Sequence, residues 1–175
     1  RLSHRILEEV GGDGRTVLDD TGKSLVLRKV AENIGGEMPV IGGNLSKIGY
    51  IHEVKSAISE FMQYGIGTKE LEELTEFAKK RGALYYKLKD LGVLYRNFLE
   101  FIQEKYITTE ETLDLLCRML PQSGLVRGSV VAFDGFTGFT PIQNRLIQRI
   151  MGLAKEVIIT AVMDGGEKNP YMPSG

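Results

Sequence analysis

Ser129-Val130-Val131-Ala132-Phe133-Asp134-Gly135-Phe136-Thr137-Gly138-Phe139-Thr140-Pro141 is where the period of the chain changes. Its first six residues are a short apolar run closed by an acid, the pattern of a buried strand. Thr140-Pro141-Ile142-Gln143 then reads as a capping box with proline at the first helical position, opening a helix to about Met151. Glu156-Val157-Ile158-Ile159-Thr160-Ala161-Val162 is a second β-rich run. Strand, helix and strand joined by short links make a βαβ unit, with parallel strands and a right-handed crossover. Two parallel strands are not a stable sheet on their own. Further chain, the neighbouring helices or a second molecule must complete it.

Upstream of that unit the hydrophobic period is helical. Leu2, Ile6, Leu7 and Val10 share a face, and Gly11-Gly12 stops the helix. Asp20 or Thr21 is the expected cap of a second helix carrying Leu25, Leu27, Val30, Ala31 and Ile34. Gly35-Gly36 ends it, and a loop with Pro39 and Gly42-Gly43 follows. Ile51, Val54, Ile58, Phe61 and Met62 mark a third helix. A fourth, capped by Thr68, is expected to turn Leu71, Leu74, Phe77 and Ala78 inward. A long fifth helix should run from about Ala83 to Tyr106, with Leu84, Leu88, Leu91, Tyr95, Phe98 and Ile102 as its stripe. Thr108 with Glu111 forms a capping box for a sixth, ending near Leu120. The fold class is therefore α/β, mostly α. About six helices (1–125) join a partial parallel βαβ unit (126–164), and 165–175 read as a flexible tail.

With 175 residues the chain suits one domain, or one domain and part of another. Apolar residues make up 42% and charged residues 26%, ordinary globular usage that supports a sizeable core. A net charge of -1 excludes bulk coating of nucleic acid, so any contact with it needs a local patch. The single cysteine, Cys117, excludes an internal disulfide and sits among Leu113, Leu116 and Leu120 as a small core residue. A reducing, cytoplasmic setting follows as the expectation. No apolar run reaches transmembrane length, and no membrane contact is expected. The sequence begins without methionine and is expected to be an internal piece of a longer protein.

An acid at the carboxyl end of a parallel strand is where α/β nucleotide-binding folds hold Mg²⁺ or a phosphate ligand. Asp134 holds that place, with Gly135 behind it. The competing reading makes Asp134 a turn cap and Gly135 the residue with positive φ. Thr21-Gly22-Lys23-Ser24 has the tail of a phosphate-binding loop, but Val17 stands where that pattern needs its first glycine. No buried strand is expected ahead of it, so it reads as a helix start. His4 and His52 lack partners at ligand spacing, and no metal site is expected in this chain. Glu70, Glu72, Glu73 and Glu76, and Glu110 and Glu111, lie near helix N-termini, where the helix dipole favours them. Lys79, Lys80 and Arg81, followed by Lys87 and Lys89 around Tyr85 and Tyr86, are candidates for holding phosphates while aromatics stack on bases. A helix C-terminus attracting cations explains the same residues without DNA.

Asp134-Gly135-Phe136-x-x-Phe139-Thr140-Pro141 at a strand end resembles the motif of AddB-type subunits of bacterial AddAB (RexAB) helicase–nucleases. Leu18-Asp19-Asp20-Thr21-Gly22-Lys23-Ser24 and Ser59-Glu60-Phe61-x-x-Tyr64-Gly65 are similar to the same family. The resemblance covers nearly the whole chain; the strand-end motif is the more specific part. It implies a UvrD-like, superfamily 1 helicase architecture, with a helical subdomain inserted into a RecA-like α/β domain. On that alignment Asp134 falls on the first acid of the Walker B motif, and Gly135 replaces the glutamate that polarises the attacking water. Thr137-Gly138 replaces the Gln-Asp pair that follows. The resemblance thus implies a hydrolysis-deficient scaffold in double-strand-break repair and recombination, paired with a motor A subunit and contacting single-stranded DNA. Phe136, Phe139 and Thr140 become candidates for lining the path of the 3′-ended strand, where a Chi-type sequence is read. ATP with Mg²⁺ and an iron–sulfur cluster would belong to the parent protein, the cluster outside this chain. An active UvrD-like ATPase, and a helical interaction domain without a DNA role, are the alternatives. The incomplete sheet is also expected to let the isolated chain self-associate.

Overall fold

The computed structural model describes residues 2–12 and 14–161; the tail expected over 165–175 lies outside them. Helices dominate, joined by two small parallel sheets. Helix α1 (Leu2–Val10) buries Ile6 and stops at Gly11, whose φ of 79° suits a residue without Cβ. Strand β1 (Thr16–Leu18) leads into α2 (Asp20–Ile34). Asp19 is the N-cap of α2: its Oδ1 accepts from Gly22 N at 2.7 Å. The cap therefore lies one residue before the positions expected for it.

Helices α2, α3 (Ile48–Tyr64), α4 (Thr68–Phe77) and α5 (Ala83–Ile102) close around one core, with Leu27, Ile58, Leu94 and Phe98 fully buried. The loop between α2 and α3 plugs it with Met38, Ile41 and Leu45. Asp90 holds that loop from inside α5. Its buried carboxylate accepts from Val40 N at 2.7 Å and Ile41 N at 3.0 Å. Gly67, not Thr68, precedes the first turn of α4, and its N–H donates to Glu70 Oε2.

Three expectations change here. The fifth helix ends at Ile102, and Tyr106–Thr108 forms β2, which pairs in parallel with β1, Val17 opposite Ile107. A strand does precede Gly22-Lys23-Ser24, although only Leu18 of it is buried. Leu74 and Phe77 face solvent, as do Leu25 and Leu84. On α4, Leu71 and Ala78 are seven residues apart and share the inward face, while Phe77 falls roughly 120° away from it at 100° per residue.

Helix α6 (Thr109–Met119) starts from the expected capping box: Thr108 Oγ1 accepts from Glu111 N, and Glu111 Oε2 from Thr108 N. It packs beside α1 and α7 (Pro141–Met151) around a second core of Ile6, Leu116, Leu120, Val126 and Ile150. Strands β3 (Val130–Phe136) and β4 (Glu156–Ala161) are parallel, as expected of a βαβ unit, and turn Val131, Phe133 and Val157 towards that core. Their other face is bare: Val130, Ala132, Asp134, Ile158 and Thr160 are exposed. The strand read as buried is thus covered on one side only. No helix among the described residues is long and apolar enough to cross a membrane.

Candidate functional site

The carboxyl end of β3 carries the candidate site. Strand pairing runs regularly to Phe133 opposite Ile159, then slips before Phe136 opposite Ala161. The irregularity falls on Asp134-Gly135. Gly135 has a φ of 75°, a left-handed conformation that side chains with a Cβ disfavour. Asp134 is exposed on the bare face, and its Oδ1 accepts a close hydrogen bond from Thr160 Oγ1 of β4. The acid therefore caps the bulge and is held by the neighbouring strand. Thr160 had no signal in the sequence, because the contact is made across strands rather than along the chain.

The bulge throws three rings together. Phe136 and Phe139 lie 4.9 Å apart, centroid to centroid, with planes 31° from parallel. Phe133 meets both edge-on, at 6.2 and 6.4 Å. Phe136 is 38% exposed, so the cluster offers a ring to solvent. Thr140 closes the loop as the N-cap of α7, and its N–H donates to Gln143 Oε1 at 2.8 Å. Its Oγ1 is buried, with no hydrogen-bond partner among the described residues.

Lys79, Lys80 and Arg81 form a separate group at the turn from α4 to α5. Lys79 pairs with Glu76, whose carboxylate raises the pKa of that ammonium, and the Arg81 guanidinium sits 5.8 Å over the Phe77 ring. Phe77 is 77% exposed, and Leu74, Leu84 and Tyr86 are exposed too. Sequence periodicity had placed Phe77 in the core, so this apolar corner was missed. Tyr85 and Tyr86 stack edge to face at 5.1 Å. Lys23 of the Gly-Lys-Ser stretch is taken up internally. It is 1% exposed, with its ammonium 2.8 Å from Glu110 Oε1 and 3.0 Å from Ser59 Oγ.

Chemically, the strand end offers one carboxylate, already engaged, and no base beside it. No group of three His, Cys, Asp or Glu side chains suited to a metal occurs among the described residues. A lone carboxylate at a strand end has the chemistry of one ligand of a Mg–nucleotide site.

A family model described as ADDB, N-terminal, matches residues 1–173. The B subunit of an ATP-dependent helicase/deoxyribonuclease from Lachnoclostridium phytofermentans is 45% identical over 169 residues, covering 97% of this chain and 15% of the relative. The protein of the same description from Desulforamulus reducens is 34% identical over 166 residues, 94% of this chain and 14% of its own length. A third, from Moorella thermoacetica, is 29% identical across all of this chain and 16% of its own. The chain spans about one-seventh of the length of these relatives.

Proposed function

The chain belongs to the ADDB N-terminal family, and from that membership we propose that it is a helicase-like scaffold in the B subunit of an ATP-dependent helicase/deoxyribonuclease. It serves double-strand-break repair beside a motor A subunit, contacts single-stranded DNA, and does not itself turn over ATP. The observation that carries this reading is Gly135. Its φ of 75° disfavours any side chain there, and on the resemblance drawn above it takes the place where an active helicase has a carboxylate to polarise water. Asp134 remains as a metal-side acid, and would hold Mg²⁺ of a bound nucleotide as one ligand among others supplied by the rest of the subunit. Next to it, the Phe136–Phe139 pair provides the π face on which a base stacks, largely without regard to sequence.

The test uses the full-length B subunit in complex with an A subunit whose own ATP site is disabled. ATP turnover should stay at background with and without single-stranded DNA. Phe136→Ala and Phe139→Ala should each weaken oligonucleotide binding by roughly tenfold with little change in salt dependence. DNA-stimulated turnover from this complex would sink the scaffold reading. Unaltered binding in both variants would remove DNA contact from the loop.

A second reading has its own observation. Phe77 is exposed beneath the Arg81 guanidinium, and Leu74, Leu84 and Tyr86, close to it along the chain, are exposed as well. An exposed aromatic flanked by cations suits a protein interface at least as well as DNA. On this reading the corner docks the A subunit, and Phe77→Ser lowers heterodimer affinity while DNA binding per complex stays constant.

A further inference from the structure

Asp114, Cys117, Arg118, Arg145, Gln148 and Arg149 line a cleft of about 420 Å³ between α6 and α7. Three guanidiniums from two helices line it with one carboxylate, which two of them share. Arg118 Nε lies 3.5 Å from Asp114 Oδ2, and Arg145 Nη1 lies 3.6 Å from Oδ1. Both distances exceed those of firm charged hydrogen bonds, so Asp114 orients the two forks without saturating them. Arg149 has no carboxylate partner among the described residues. The other acids of α6 are committed elsewhere, Glu110 to Lys23 and Glu111 to the Thr108 amide. The cleft therefore carries excess positive charge in a chain whose net charge is -1.

We propose that this cleft binds the phosphate backbone of single-stranded DNA. The inference rests on the single-strand reading given above and extends it to a second set of residues. Guanidinium forks match phosphate oxygens two at a time, and Arg145 and Arg149, one turn apart on α7, are separated by ~6 Å along the helix. Gln148 adds a neutral donor between them. An acidic protein surface has the same charge but a different requirement. Stable protein interfaces have an apolar centre, and here Cys117 is the only apolar side chain in the lining. A backbone contact needs no such centre. Helix α7 also begins at the Phe136–Thr140 loop, so one rigid element carries a base-stacking end and a phosphate-binding flank.

The test measures oligonucleotide binding by the full-length B subunit in complex with its A partner, across a salt series. Arg145→Gln/Arg149→Gln should weaken binding by roughly tenfold or more and flatten the log–log salt slope by about 0.7 for each phosphate that is no longer neutralised. Arg145→Lys/Arg149→Lys should keep most of the slope while losing part of the affinity. Arg149→Gln alone removes no ion pair, so it keeps the test open if the double variant does not fold. Affinity and slope unchanged in these variants, with Phe139→Ala still weakened, would overturn the cleft and leave the single-strand reading standing. No change in any variant, Phe139→Ala included, would overturn both. Loss of binding to the A partner with DNA affinity per complex unchanged would assign the cleft to a protein surface and overturn the proposal.

Discussion

Lys23 is a lysine with almost no water left, and each of its three N–H donors has an acceptor: both Glu110 oxygens at 2.8 Å and Ser59 Oγ at 3.0 Å. The pair ties α2 to α6, and the hydroxyl ties both to α3. Removing one partner strands a buried charge, so Lys23→Met or Glu110→Leu should each cost about 3–5 kcal/mol in urea unfolding. Lys23→Met/Glu110→Leu together should cost less than either alone, because no charge is left behind. Single effects that simply add would show the two groups to be uncoupled. Tyr95 is buried in the same region, 3% exposed, with its hydroxyl donating to Ile66 O. Burial pushes its phenol up to about 12, and Glu111, Glu110 and Glu70 add to the shift. The folded state thus keeps a proton that the unfolded chain releases near pH 10. Stability should be unaffected by this group below pH 10 and fall between about 10 and 12, by at most ~3 kcal/mol. Tyr95→Phe should flatten that alkaline limb, and an identical limb in the variant would assign it to other groups.

Among the elements, those with local signals were legible. Thr108 and Glu111 announce α6 because both halves of a capping box lie within four residues. Replacing Thr108 with alanine should cost about 1 kcal/mol, read as a shift in the urea midpoint at constant slope. A loss no larger than at an exposed site would mean that Glu111 alone sustains the cap. The parallel βαβ unit was equally legible, since its two β-rich runs flank a proline-started helix. Strands β1 and β2 were not. Each is three residues long, and Val17 and Ile107 meet across half of the chain, so neither has a period to read. The end of α5 was overrun for the same reason, because Tyr106 continues the helical stripe in sequence but pairs with Thr16 in space. At the candidate site, Asp134 and Gly135 were singled out from strand-end chemistry. Phe133 and Thr160 completed it only in three dimensions, and the arginines of α6 and α7 had no shared spacing to join them.

On the scale of the whole molecule, the β3–β4 sheet is the unfinished part. Parallel sheets are ordinarily covered on both faces, because crossover helices lie on both. Here α7 and its neighbours cover one face, while Val130 is 56% and Ile158 45% exposed on the other. The relatives are about seven times longer than the matched stretch, so the covering layer has ample chain to come from. Without it, the described residues present bare β-branched side chains beside strand edges unpaired among them, a template for pairing with a second copy. It should therefore associate reversibly in sedimentation velocity runs at roughly 10–100 µM, the range in which a small apolar contact becomes populated. Ile158→Lys places a charge at the centre of the bare face and should restore a monomer without lowering the melting temperature, since Ile158 buries little within one copy. A monomer for the unaltered chain across that range would mean the exposed face is too small or too polar to bind itself. A dimer that persists in Ile158→Lys would move the contact elsewhere, first to the exposed corner around Phe77.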